Sequence, residues 1–452
     1  MRTLTRFAPL TLAATLALTF ALPGAAGAAG VPAVPAAEAP SVMEHVAWSR
    51  NATLYQVNVR QYSKEGTFNA VTRDLPRLKK LGADILWLMP VNPIGKDKRK
   101  GTLGSYYAVS DYTGVNPEFG TLADLKRLVK QAHGMGMKVI LDWVPNHTAW
   151  DHPWVKQHPE YYKKNAEGNV YPVTYGEGPT QEIWEDVVGL DYTSKALWPA
   201  MTEAMAYWLR EADIDGFRCD VASGVPQAYW QQAVADLNKI KPIFMLAEGD
   251  WVEMHDRAFD ATYSWDLADT MRKIAKGEGG AQLLRDWVAK PPRVYPADAY
   301  RMRFTNNHDF NSWVGTDREL YGPAYQAMAV LTFTLPGMPL VYNGQESGID
   351  KRLEFFEKDP IDWKKYELTP FYAGLAKLKH ANPALWNGQY GGDMVVRDAG
   401  NENVFAFTRT RGANVVDVAV NLSGAQQQYT GKDGKPAALA PWRWTISAGK
   451  AH

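Results

Sequence analysis

A single cysteine, Cys219, stands among 452 residues. No internal disulfide is therefore possible, and stability must come from packing. Charge of one sign is equally scarce, because 49 Lys plus Arg balance 49 Asp plus Glu. A neutral chain lacks the basic footprint of nucleic-acid binding. Beyond the N-terminus no apolar run is long enough to cross a bilayer. These absences exclude a disulfide scaffold, a nucleic-acid partner and a multispan membrane protein.

The N-terminus itself has one apolar run. Arg2 and Arg6 precede "LTLAATLALTFAL", and the small residues "PGAAGAAG" follow. A basic start, an apolar stretch and an Ala-rich cleavage zone read as an export signal over residues 1–30. Residues 31–45, rich in Ala and Pro at their start, read as a leader. The expectation is an exported protein, periplasmic or extracellular, with no membrane contact after signal cleavage.

Aromatics are plentiful, with 17 Trp and 22 Tyr. Short apolar runs alternate with amphipathic segments. "TLYQVNVRQYS" (Thr53 to Ser63), "ADILWLMPVNP", "MKVILDWVPNH", "IDGFRCDVA", "PIFMLAEG", "RMRFTNNHD" and "MPLVYNGQE" read as strands, with "DATYSWD" as a weak eighth. Helical segments lie between them. Thr121 can cap one of these, with Asp124 three residues on. Strand–helix–strand repeats predict an α/β fold with a parallel sheet covered on both faces. Eight units predict a (β/α)8 TIM barrel with its site at the C-terminal strand ends. Periodicity alone does not separate this from a doubly wound open sheet.

Two intervals break the rhythm. The barrel is expected over residues 46–147 and 192–381. Residues 148–191 are polar and rich in Tyr, Gly and Pro, too long for an ordinary loop. They read as an inserted domain after strand 3. From 382 to 452 the period shortens to about two, which predicts a C-terminal antiparallel β domain of sandwich type.

Ionisable residues collect where the strands end: Asp142, Asn146, His147, Arg218, Asp220, Glu248, His308 and Asp309. Buried charges are costly unless partnered, so their convergence at a barrel mouth suggests a site. In "GFRCDVAS" alternation puts Arg218 and Asp220 on one face and Cys219 on the other. The guanidinium can keep Asp220 ionised, fit to attack an electrophilic carbon. Glu248, in a drier and like-charged place, suits a proton donor. Such a pair is what glycoside cleavage requires. These residues alone leave other carboxylate chemistry open.

Four ordered motifs narrow the choice. "DWVPNH" (Asp142 to His147), "GFRCDVAS", "AEGD" (Ala247 to Asp250) and "FTNNHD" (Phe304 to Asp309) resemble the conserved blocks of the alpha-amylase family of glycoside hydrolases. The upstream "SYYAVSDYTGVNPEFGTLADLKRLV" is also similar to that family. The resemblance implies a retaining enzyme with Asp220 as nucleophile, Glu248 as general acid/base and Asp309 as the third carboxylate. It implies that Arg218 orients Asp220, that His147 and His308 bind sugar hydroxyls, and that Tyr107 stacks on the ring. Asp142 supports the site from behind. Asn146 matches a calcium ligand, which Asp186 or Asp191 could help complete, so one structural calcium and no organic cofactor are expected. Gly224 stands where relatives place a histidine.

The implied substrate is an α-glucan or maltooligosaccharide, and a monomer is expected. Cleavage of internal α-1,4 links is the first reading. An α-1,6-glucosidase, a maltogenic or cyclodextrin-cleaving enzyme, or a glucanotransferase is the alternative on the same site, and a noncatalytic carbohydrate-binding protein is a third. The basic "GKDKRKG" (Gly95 to Gly101) reads as a solvated loop.

Overall fold

The computed structural model describes residues 43–176, 181–363 and 366–450. The export signal expected over residues 1–30, and most of the leader, lie outside them. Residues 42–452 form one compact unit.

Among the described residues, seventeen strands follow in chain order: β1 (Leu54–Val57), β2 (Ile85–Leu88), β3 (Lys138–Trp143), β4 (His147–Ala149), β5 (Pro172–Tyr175), β6 (Glu182–Gly189), β7 (Gly216–Cys219), β8 (Phe244–Ala247), β9 (Ala261–Tyr263), β10 (Tyr300–Arg303), β11 (Met338–Tyr342), β12 (Asp393–Arg397), β13 (Val404–Arg411), β14 (Asn414–Asn421), β15 (Gln427–Thr430), β16 (Pro436–Leu439) and β17 (Trp444–Lys450). Eight of them close a barrel in the order β1-β2-β3-β7-β8-β9-β10-β11. Every pairing in it is parallel.

Alternation divides the barrel residues between two apolar layers. Leu54, Ile85, Ile140, Leu246, Met302 and Leu340 point inward into one cluster. Their neighbours Tyr55, Leu86, Leu141, Phe217, Cys219, Met245 and Val341 point outward, beneath a shell of helices that supplies Leu78, Leu128, Leu209, Val234 and Leu331. Both faces are buried, so the strands read as continuous apolar runs. Cys219 is in the outer layer, and burial pushes its thiol well above the ordinary range.

Local signals set the helices. Thr67 accepts from the Ala70 N–H at the start of the helix Phe68–Leu81, and left-handed Gly82 ends it. Thr121 and Asp124 form a reciprocal capping box on Leu122–Gly134. One expected strand proves shorter. Asn58 accepts from the Gln61 N–H and starts a helical turn, Val59–Tyr62, so β1 stops at Val57. The period-two pattern continued past a cap that competes with the sheet.

Between β3 and β7 the chain builds an antiparallel sheet in the order β4-β6-β5. At the end, β12-β13-β14-β17 form a second antiparallel sheet and β15-β16 a third. The last two share a small core of Ala406, Ala419, Tyr429 and Leu439. Arg409 on β13 is buried and donates to the Thr334 carbonyl at 3.0 Å, which ties this sheet to a barrel helix.

Candidate active site

The inward series on each strand is apolar at its base and polar at its top. Leu54 gives way to Gln56, Ile85 to Trp87, Ile140 to Asp142 and Ala261 to Tyr263; Arg218 completes β7, and Leu246 leads to Glu248. The same two-residue period that fills the barrel therefore aims a ring of polar groups at its C-terminal mouth. Gly216 makes room for this. A Cβ there would come within 1.9 Å of the Phe244 carbonyl, at a φ of 149°.

Arg218 is the centre. Its Nη1 donates to Asp142 Oδ1 and to Asp220 Oδ1, both at 2.9 Å. Its Nη2 lies 3.0 Å from Glu248 Oε1, and its Nε donates to the Tyr263 hydroxyl at 3.1 Å. The Trp87 ring lies 5.1 Å from the guanidinium carbon. One fully buried cation thus touches three carboxylates.

Glu248 is held from a second side. The Val221 N–H donates to Glu248 Oε2 at 2.8 Å. Val221 has φ 43°, a left-handed conformation that a β-branched residue rarely adopts. Such strain persists where surrounding structure enforces it, often at functional sites. The drier place expected for Glu248 is not found: its side chain is 19% exposed, against 10% for Asp220.

A hydrogen-bonded chain enters from the other side. Gln56 Nε2 faces His308 Nδ1 at 2.7 Å, so that nitrogen is an acceptor and Nε2 carries the proton. His308 Nε2 lies 2.6 Å from the Tyr107 hydroxyl and 3.2 Å from Asp309 Oδ2. Tyr107 in turn donates to Asp142 Oδ2 at 3.1 Å, which Trp87 Nε1 also reaches at 3.0 Å. Burial and the nearby Arg218 charge drive His308 well below the usual histidine range, so the ring is neutral.

The carboxyls are crowded. Burial first, then the Glu248 charge, pushes Asp309 up to about 7, although its side chain is 38% exposed toward the cleft. Burial raises Asp142 to about 6 against the pull of Arg218. Asp220 is raised as well, by burial and by Glu248. The guanidinium does lower it, as its charge requires, but that charge is divided among three carboxylates. Asp142, Asp220 and Asp309, crowded around one cation, therefore hold on to a proton toward neutral pH.

The structure brings Tyr107, Asp142, Arg218, Asp220, Glu248, His308 and Asp309 together. His147 joins them through the Tyr107 backbone, with which its ring hydrogen-bonds. That ring starts β4, meets Asn146 Nδ2 at 3.2 Å and packs edge-on against Trp184 at 5.7 Å. Burial lowers its pKa to about 4. Residues that sequence reasoning missed are Gln56, Trp87, Val221, Tyr263 and Phe355. Phe355 lies nearly parallel to Tyr107 at 6.3 Å. The inward period named the first two and Tyr263 in principle; nothing local marked Val221 or Phe355.

Of the set expected for calcium, the two aspartates have protein partners. Asn146 Oδ1 lies 2.6 Å from where a Cβ on Gly224 would stand, which accounts for glycine there. Asp186 pairs with Lys100 at 3.5 Å. Asp191 accepts from the Thr193 N–H and hydroxyl. No group of three His, Cys, Asp or Glu gathers for a metal among the described residues. The loop Gly95 to Gly101 is pinned rather than only solvated. The Lys96 N–H donates to Asp151 at 2.8 Å, and Lys98 Nζ sits 3.4 Å from the Trp150 ring centre.

Comparison with known proteins decides the class. The model of the alpha-amylase catalytic domain matches residues 46–392. The chain belongs to the alpha-amylase family. It is an enzyme of this class, with the family's barrel. An alpha-amylase structure from Lactobacillus plantarum is 31% identical, with a TM-score of 0.78, covering 89% of this chain and 99% of that one. A maltogenic alpha-amylase from Thermotoga neapolitana is 27% identical at a TM-score of 0.75, with 89% and 99% covered. An alpha-1,4-glucan:maltose-1-phosphate maltosyltransferase from Rhodospirillum rubrum is 27% identical over 82% of this chain. This chain spans 57% of that protein's length, and 61% and 65% of two other curated relatives. No helix among the described residues is long and apolar enough to cross a membrane.

Proposed function

We propose that this protein is a retaining α-glucan-active enzyme that handles maltooligosaccharides in short, maltose-sized units. The observation that carries the chemistry is the shared guanidinium: Arg218 contacts Asp220 and Glu248 at once. Retaining cleavage needs two closely spaced carboxyls, about 5–5.5 Å apart. Asp220 attacks the anomeric carbon while Glu248 protonates the departing glycosidic oxygen. Glu248 then takes a proton from water or from a sugar hydroxyl, which displaces Asp220. Asp309 and Tyr107 hold the sugar at the point of cleavage, and Asp309 acts most strongly on the distorted ring. His308, neutral and fixed by Gln56, gives its Nε2–H to the Tyr107 hydroxyl and so holds that ring in place for the sugar.

The chain-length reading is supported by the maltogenic and maltosyl-transferring relatives. A second reading, random cleavage of internal α-1,4 links of starch, is supported by the Lactobacillus plantarum likeness. The N-terminal signal pattern supports export. Timed product analysis on soluble starch, reducing-end-labelled maltoheptaose and isomaltose separates these readings. Maltose as an early, dominant product, or products longer than the donor, supports the first. Early mid-length products from starch support the second. Glucose from isomaltose would indicate α-1,6 cleavage, and turnover of none would overturn both.

A further inference from the structure

Residues 349–363, beyond β11, form neither helix nor strand. Yet this segment carries Phe355, the ring that lies nearly parallel to Tyr107. Phe355 is only half-buried, so burial alone does not fix it. A backbone with no ladder of its own is placed by the groups that bond it. Those groups begin two residues beyond Asp309.

Asn311 is 1% exposed. Its Nδ2 donates to the Lys351 carbonyl at 3.1 Å, and its Oδ1 accepts from the Leu353 N–H at 2.9 Å. The amide thus satisfies a backbone acceptor and a backbone donor two residues apart. Neither a carboxylate nor an apolar side chain of that shape can do both. Asn311 sits in a π-type turn, Phe310–Val314, closed by the Gly315 N–H on the Phe310 carbonyl at 2.7 Å. Such turns are rare and recur at functional sites. This one starts at Asp309, so one short piece of chain carries a carboxylate of the mouth and grips the segment of Phe355.

Rings repeat the grip. Trp313, from the same turn, meets Phe355 at 5.2 Å and Phe356 at 5.8 Å. Phe355 then lies 6.3 Å from Tyr107 and 6.5 Å from His308, at interplanar angles of 16° and 30°. The loop that carries Tyr107 closes the circuit, because the Leu103 N–H donates to the Phe356 carbonyl at 3.0 Å. The loops after β2, β10 and β11 therefore meet at Phe355 and Phe356. Tyr107 reaches Asp142 at 3.1 Å and His308 reaches Asp309 at 3.2 Å, so the placement of Phe355 is passed on to the carboxylates.

We propose that Asn311 is a positioning residue for the reaction: it fixes Phe355 against Tyr107 and His308, and so keeps Tyr107 and Asp309 in the arrangement that grips the distorted sugar ring. The inference rests on the reading of Tyr107 and Asp309 as the groups that hold the sugar. Asn311 itself touches no reacting atom. It acts through geometry, where a misplacement of about 1 Å can cost ~100-fold in rate. Because the grip is strongest on the distorted ring, the loss belongs in kcat more than in KM.

The test is a double-mutant cycle in the full-length protein, with maltoheptaose as substrate. Asn311→Leu keeps the shape and removes both hydrogen bonds. It should lower kcat about tenfold and leave KM within about threefold. Phe355→Ala should do the same. In the Phe355→Ala background Asn311→Leu should add less than about a twofold further loss, because the two act along one route. Asn311→Ser makes the same cycle should Asn311→Leu fail to fold. Thr316→Val is the control for loop stability, since its hydroxyl bonds Asp350 across the same two loops at 2.9 Å. Its Tm should fall while kcat stays within about twofold. An unchanged kcat in Asn311→Leu, losses that multiply in the double variant, or an equal loss of kcat in Thr316→Val would overturn the positioning role. Asp309→Asn, measured alongside, keeps the underlying reading separate: full kcat there would overturn the role of Asp309, and the proposal with it.

Discussion

Val221 holds Glu248 through its backbone, at 2.8 Å, from a left-handed conformation of φ 43°. The residue that follows the proposed nucleophile thereby orients the proposed acid. The strained backbone supplies the donor, and the valine side chain is incidental to it. Val221→Gly is therefore expected to keep kcat within about threefold and to leave Tm unchanged or higher, since left-handed strain costs roughly 1–2 kcal/mol. Val221→Pro removes the N–H. A hydrogen bond to a charged group is worth about 1.5–3 kcal/mol, so kcat should fall roughly 10–100-fold or more. Steady-state kinetics with thermal melts check both.

Asp309 makes stability depend on pH. Its carboxyl is raised to about 7 in the folded chain by burial and by the Glu248 charge. The ordinary value is about 3.9. Between those pH values the folded state binds more protons than the unfolded one, so stability falls as pH rises and levels off above the folded value. Asp309→Asn should therefore raise Tm at pH 8 more than at pH 4. Parallel melts across this window check it, and an equal effect at both ends would contradict the crowding.

Gly216 admits no side chain. With the Phe244 carbonyl 1.9 Å from its absent Cβ, Gly216→Ala must push β7 away from β8. The expected cost is on the order of 3–5 kcal/mol, in the class of severe backbone strain. Denaturant melts measure it. Activity should fall too, because Arg218 lies two residues on.

Chelation should leave the fold unaltered. Asp186 is paired with Lys100, and Asp191 caps a local turn. Melts with and without a chelator should agree within about 2 °C, since loss of a well-bound ion would shift them further. A large calcium-dependent shift would show that these side chains rearrange around an ion. Lys100→Met would then be expected to tighten that binding.

Much of this was legible before the structure. The barrel followed from apolar runs long enough to be strands and buried on both faces. Six residues of the cluster follow from motifs at strand ends, where the inward period turns polar, and Tyr107 follows from the upstream stretch similar to the family. The rest depended on contacts made through space. Asn58 ended β1 because a cap outcompeted the pattern. Phe355 meets Tyr107 only because a distant loop folds back over the mouth. Glu248 proved the less buried of the pair, since its surroundings are set by neighbouring loops and not by its own strand. Val221 carries no residue-type signal for a left-handed position.

The account's central claim is that Asp220 and Glu248, bridged by Arg218, perform a double displacement. The most direct test is the anomeric configuration of the first product. Proton NMR recorded within seconds of adding enzyme to a maltooligosaccharide resolves it before mutarotation. The account predicts the α anomer, with the signal lost in Asp220→Asn while the fold persists. Initial release of the β anomer would contradict it.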